Sequence, residues 1–342
     1  MRYRRVKLSL LWALVMLPAC LALAYFPATK YDPYDLFTGG RSGDAAQYIA
    51  IAHGADLRDI PKPYRYRFVA PVLTRYVPLP PGVLLSRFEM TDAKTETYRF
   101  AVVNALGLFL ATAGLALLMA KLRFSVLEQY LAALLFLTCF VTVNYGTVPL
   151  VDGASFGALA LGVAAGAWRR WYALAAIALV AMFVKETSVL IAVAAVLYQG
   201  SWRDRAWSAL ACAPGIVAYA VVRLVILPTT VGFGYGAPQA LRTVVHYFTT
   251  TSGLVSLAYY LLVGFGALLV LAPWGWVLVR RAGDRPELLR LAWLVLVALA
   301  MPFVLNTSLD RIWFLAFPVV IPLSVVTLAS LARRFASEPE PT

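Results

Sequence analysis

Residues 171–199 read WYALAAIALVAMFVKETSVLIAVAAVLYQ: two apolar runs, 171–184 and 187–199, meeting at Val184-Lys185-Glu186-Thr187. Each run is shorter than the roughly 20 apolar residues that carry a helix across a bilayer. Taken as two short spans, they return the chain to the side it came from. Taken as one interrupted span, they invert the topology of everything that follows.

Working outward from this stretch, further span candidates lie at 8–26, 99–120, 127–143, 153–167, 207–227, 254–279, 291–305 and 312–331. With 171–184 and 187–199 kept apart the total is ten, and merging them leaves nine. Composition supports the membrane: 61% of residues are apolar, 14% are charged and the mean hydropathy is +0.76. A soluble domain has about 45–50% apolar and about 25% charged residues. Soluble globular, disordered and disulfide-stapled classes are thereby excluded.

Charge placement separates ten spans from nine, because short cytoplasmic turns collect Lys and Arg. With ten spans and a cytoplasmic N-terminus, every cytoplasmic turn carries a basic pair, such as Lys121/Arg123, Arg169/Arg170, Arg203/Arg205 and Arg280/Arg281. That face holds 16 basic and six acidic residues, a net +10, and the opposite face 14 and 11, a net +3, together the chain's +13. On a soluble protein such an excess would suggest nucleic acid. Here it is a topological signal, and no nucleic-acid partner is expected.

The expectation is therefore an all-α, polytopic helical bundle of about ten transmembrane helices, a single membrane domain over 1–342. The long loop 27–98 is extracytoplasmic and holds interfacial helices, and 332–342 is a short cytoplasmic tail. Both termini are expected in the cytoplasm. The apolar run after Met1-Arg2-Tyr3-Arg4-Arg5 exceeds the roughly 7–15 residues of a signal-peptide core, so it reads as an uncleaved first span. Long loops on one face only place the working site on that face.

Several motifs carry no chemistry. Cys20, Cys139 and Cys212 sit in apolar runs with neither disulfide nor metal spacing. Gly153-Ala154-Ser155-Phe156-Gly157 matches a nucleophile elbow but has no strand before it and no histidine in a span. Its glycine spacing reads instead as a close-packing helix face. The zincin, P-loop and C-x-x-C patterns are absent.

Charged groups near membrane depth are costly and mark functional candidates. Asp44 opens an amphipathic segment after a glycine-rich break, Gly39-Gly40-Arg41-Ser42-Gly43-Asp44-Ala45-Ala46-Gln47-Tyr48, with a helix end at Gly54. It is either a helix cap or a catalytic carboxylate at the membrane surface. In Pro61-Lys62-Pro63-Tyr64-Arg65-Tyr66-Arg67-Phe68 the prolines favour extended chain, placing Arg65 and Arg67 on one face, either to grip phosphate or to snorkel to the headgroup level. Lys185 and Glu186 form a charged pair at the apex of a shallow hairpin. Asp310 and Arg311 sit at the mouth of the last span and Asp152 at a comparable depth on the fourth. His246, in Thr243-Val244-Val245-His246-Tyr247-Phe248, is an interfacial residue or a substrate contact.

This arrangement resembles the GT-C superfamily of integral-membrane glycosyltransferases. The similarity rests on a cytoplasmic N-terminus, many spans, and an acidic residue in a long first outer loop, here Gly43-Asp44-Ala45-Ala46-Gln47-Tyr48. Lys185-Glu186-Thr187 and Asp310-Arg311-Ile312-Trp313 also resemble elements of bacterial GT-C-like chains. The resemblance implies a polyprenyl-phosphate-linked sugar donor, a lipid or cell-envelope glycan acceptor, surrounding membrane lipids and a bacterial inner-membrane location. Asp44 would then be the catalytic base, and Tyr48, Arg65, Arg67, Asp152, Lys185, Glu186, His246, Asp310 and Arg311 would bind substrate. A divalent metal, Mg or Mn, is compatible with such chemistry. Two other functions fit the composition: a transporter or flippase of lipid-linked sugars or anionic lipids, and a non-catalytic partner in a cell-envelope polysaccharide pathway. A transporter predicts charges spread through the bilayer depth.

Overall fold

The computed structural model describes residues 14–22, 44–78, 92–146, 148, 150–228, 237–305 and 309–337. Among them the chain is all-α, with no strand. After a helical segment at 14–22 come α1 (Asp44–Ala52), α2 (Val69–Thr74), α3 (Asp92–Lys121), α4 (Val126–Thr138), α5 (Phe140–Tyr145) and α6 (Asp152–Ala167). They are followed by α7 (Trp171–Val184), α8 (Leu190–Tyr198), α9 (Trp202–Val221), α10 (Ala237–Thr249) and α11 (Thr251–Phe265). The remaining helices are α12 (Leu268–Ala282), α13 (Pro286–Leu291), α14 (Trp293–Leu305), α15 (Leu309–Trp313) and α16 (Phe317–Ser337).

By length and composition, four helical stretches among the described residues are able to cross a membrane: Thr95–Lys121, Trp202–Ile226, Pro286–Phe303 and Arg311–Ala336. A fifth arises if Leu241–Thr249 and Thr251–Phe265, bent by 94° at Thr250, count as one. The count of ten is not reached on this criterion, because several expected spans form helices of only 10–17 residues. The apolar surface fits a lipid surround: on α9 and the π-helical turn after it, Leu210, Val217, Leu224 and Val225 are all exposed.

The central pair is α3 with α6, and glycines set their separation. A Cβ on Gly107 would fall on the backbone of Gly153 and Ala154, and one on Gly114 would strike Ala160. The small face of α6 thus divides its contacts. Gly153 and Gly157 meet α3, while Gly162 and Gly166 meet Ile191 and Ala195 of α8. Below the Asp152 end, Phe136, Phe156, Phe314 and Phe317 pack ring to ring at 4.8–6.1 Å between centroids.

The opening stretch resolves as a hairpin. Gly166 at the far end of α6 faces both Ala195 of α8 and Leu174 of α7, whereas Lys185 reaches Asp152 at the near end. So α7 runs toward Asp152, turns at Lys185 and the 3-10 turn Glu186–Val189, and α8 runs back. The helices have 14 and nine residues, roughly 21 and 14 Å at 1.5 Å per residue.

Two expectations are corrected. The stretch 254–279 is two helices, because Gly266 adopts φ +50°, a backbone state that suits glycine, and interrupts the run. The segment 61–68 is not extended: Tyr64–Tyr66 is a 3-10 turn. Only 14–22 of the expected first span, 8–26, falls within the described residues.

Candidate functional site

Five separate pieces of chain bring six charges together: Asp44 from α1, Arg67 after the 3-10 turn, Asp152 at the start of α6, Lys185 and Glu186 at the hairpin apex, and Arg311 from α15. Three carboxylates face three cations. At the centre Asp152 is held on both oxygens, accepting from Lys185 Nζ at 2.6 Å and from Arg311 Nη2 at 2.5 Å. Arg311 also reaches Asp44 Oδ2 at 3.5 Å and lies over the Tyr145 ring at 5.1 Å. Arg67 clamps Glu186 with two nitrogens, Nε on Oε2 at 2.7 Å and Nη2 on Oε1, and donates to the Tyr48 hydroxyl at 2.9 Å.

Local sequence explains how these groups are presented. Asp44 is the first residue of α1, and Gly54 (φ +93°) follows that helix's end. Tyr48, one turn along, is buried. The 3-10 turn puts Tyr64 and Arg67 on one side, so the Tyr64 hydroxyl donates to Asp44 Oδ1 at 2.6 Å. The segment leading into Asp152 is held by Asn104, buried within α3, whose amide donates to the carbonyls of Val148 (2.8 Å) and Leu150 (3.0 Å).

Burial is graded across the cluster. The Asp152 side chain is 1% exposed and that of Glu186 16%, while Asp44 is 35% exposed. Asp44 is the carboxylate at the rim, with fixed cations behind it. Burial pushes the Tyr48 hydroxyl up to about 12, against the opposing pull of Arg67. Burial also raises that of Tyr64, reinforced by its hydrogen bond to Asp44 and that carboxylate's charge. Both phenols stay protonated at neutral pH, which makes Tyr64 a steady donor to Asp44. Arg311 Nε is buried without a hydrogen-bond partner among the described residues.

Of the residues singled out in the sequence, Asp44, Tyr48, Arg67, Asp152, Lys185, Glu186 and Arg311 come together. Arg65 turns away and donates to the Ile60 carbonyl at 2.7 Å, closing its own loop. His246 stands apart on exposed α10, with Thr250 at 3.4 Å. The Asp310 side chain lies outside the described residues. Tyr64, Tyr145 and Asn104 were missed. Asn104 had a signal, as a lone amide in the apolar run 99–120, and Tyr64 had its three-residue spacing from Arg67. No group of three or more His, Cys, Asp or Glu is placed to hold a metal among the described residues. Each carboxylate of the cluster is already matched by a cation, which does not fit a divalent ion. No family model, curated protein or solved structure matches this chain.

Proposed function

We propose that this protein is a polytopic membrane glycosyltransferase of GT-C type, with about ten membrane helices. It moves a sugar from a polyprenyl-phosphate donor to a lipid or envelope-glycan acceptor at the extracytoplasmic face. The observation that carries this reading is the half-exposed Asp44 carboxylate, oriented by Tyr64 and Arg311 at the rim of a buried, charge-balanced cluster.

The chemistry asks little else of the protein. A sugar on a lipid phosphate already has a good leaving group, so the second carboxylic acid of a glycosidase is not required. The acceptor oxygen attacks the anomeric carbon, the bond from that carbon to the phosphate oxygen breaks, and its electron pair leaves with the polyprenyl phosphate. Asp44 takes the acceptor's proton. Charge developing on the departing phosphate is met by the Arg311 guanidinium, whose side chain is 14% exposed and lies 3.5 Å from Asp44. Asp152 and Lys185 hold Arg311 in place and need not touch substrate. The charges gather at one end of α6, and the helix from Gly153 to Ala167 carries none. This favours transfer over transport.

The test uses purified protein in lipid nanodiscs, supplied with polyprenyl-phosphate hexoses and pentoses, with release of polyprenyl phosphate as the readout. Asp44→Asn is expected to slow release by about 10²–10⁴-fold while leaving thermal stability close to wild type. Turnover by that variant at the wild-type rate would end the assignment.

A further inference from the structure

A second polar cavity lies at the opposite end of the bundle. Helix α6 leads away from Asp152 for roughly 24 Å, and there α3, α6 and α8 all terminate, at Lys121, Ala167 and Tyr198. Cavities of about 460 and 290 Å³ meet at this point, sharing Lys121, Trp168, Tyr198 and Glu287 as walls. Three converging helix C-termini would by themselves repel an anion, since their free carbonyls carry partial negative charge.

Those carbonyls are already covered. Arg285 Nε donates to Leu122 O at 3.2 Å, Arg290 donates to Tyr198 O through Nε at 3.2 Å and Nη2 at 3.1 Å, and Gln199 covers Gly166 O at 2.9 Å. Basic side chains outnumber acidic ones along the walls. Lys121, Arg123, Arg285 and Arg290 line the two lobes against Asp284 and Glu287, which stand 3.5 Å from Arg285 and 3.9 Å from Arg290. Arg123 is exposed and makes no ion pair among the described residues. Lys121 lies over the Trp168 ring at 5.2 Å. Trp and Tyr beside basic residues at helix ends match the headgroup level of a bilayer.

We propose that this cleft is a phosphate-binding site, with the phosphate of an anionic lipid headgroup as its natural occupant and soluble phosphate as the other source of the same chemistry. The site is independent of sugar transfer.

The full-length protein in uncharged detergent is titrated with phosphatidylglycerol, phosphatidylcholine and inorganic phosphate, and retained ligand is counted by native mass spectrometry. Arg285 and Arg290 also cap helices, so the variants are Lys121→Gln and Arg123→Gln, alone and combined, with Arg242→Gln on exposed α10 as control. Wild type is expected to retain phosphatidylglycerol in preference to phosphatidylcholine. Each variant should weaken retention about fivefold, corresponding to about 1 kcal/mol per surface cation, and the control not at all. Displacement of phosphatidylglycerol by millimolar inorganic phosphate would support the site and assign it to the soluble anion. Equal retention of the two lipids, or a double variant that binds like wild type, would overturn it.

Discussion

Lys185, Asp152 and Arg311 form a buried triad whose energetics are asymmetric, and that asymmetry is measurable. Asp152→Asn keeps the shape but removes the carboxylate charge facing Lys185, whose side chain is 5% exposed and makes no other ion pair among the described residues. It also leaves Asp44, at 3.5 Å, as the ion-pair partner of Arg311 among the described residues. Stranding a buried charge costs about 3–5 kcal/mol. Lys185→Met is milder, because Asp152 keeps its 2.5 Å contact with Arg311. Loss of one charged hydrogen bond costs about 1.5–3 kcal/mol. In the double variant no lysine is left stranded, so it should be more stable than Asp152→Asn alone, with a coupling on the order of 2 kcal/mol. Reversible unfolding in mixed SDS micelles, followed by circular dichroism, measures all four proteins. A Lys185→Met cost equal to that of Asp152→Asn, with the two effects adding, would refute this asymmetry.

Four other outcomes are expected. Tyr64→Phe removes the donor 2.6 Å from Asp44, so turnover should fall about tenfold for about 0.5–1.5 kcal/mol of stability; a change in KM alone would argue against a role in orienting Asp44. Arg67→Lys cannot hold both Glu186 oxygens and Tyr48 with one ammonium, and a loss of about 2 kcal/mol in the same unfolding assay is expected. Gly107→Ala places a methyl on the Gly153 backbone, so about 1–3 kcal/mol of stability should be lost, readable as a lowered melting midpoint. Finally, the folded Tyr48 hydroxyl titrates near 12 against about 10 unfolded. Its contribution is complete below pH 10 and is lost as pH rises toward 12, and Tyr48→Phe should flatten that part of a stability–pH curve.

Much of the cluster was legible because one physical rule applied to it: charges near membrane depth need partners. Asp152, Lys185, Glu186 and Arg311 stood out against apolar neighbours, and they do pair with one another or with Arg67. The same rule, extended from charges to amides, would have included Asn104. Failures came where local backbone geometry decided. Prolines at 61 and 63 suggested extended chain, but the chain turns at Tyr64–Tyr66, which separates Arg65 from Arg67 and recruits Tyr64. The stretch 254–279 is apolar throughout, so hydropathy gave no sign of the break that Gly266 introduces. Hydropathy reports burial or lipid contact and is blind to where an apolar helix bends.

The span of chain that Arg311 closes has a bearing on biogenesis. Its partners precede it by 159 residues for Asp152 and 267 for Asp44. Synthesis delivers the N-terminal helices first, so Asp152 is made long before the arginine that completes its shell. During that interval Lys185, 33 residues downstream, is its earlier partner. Sequence order alone makes the Asp152–Lys185 pair available before the full triad. A chain truncated before α15 would lack Arg311 and leave Asp152 with Lys185 as its ion pair among the described residues. Such a defect is a chemical mark of incompleteness, open to whatever machinery removes unfinished membrane proteins.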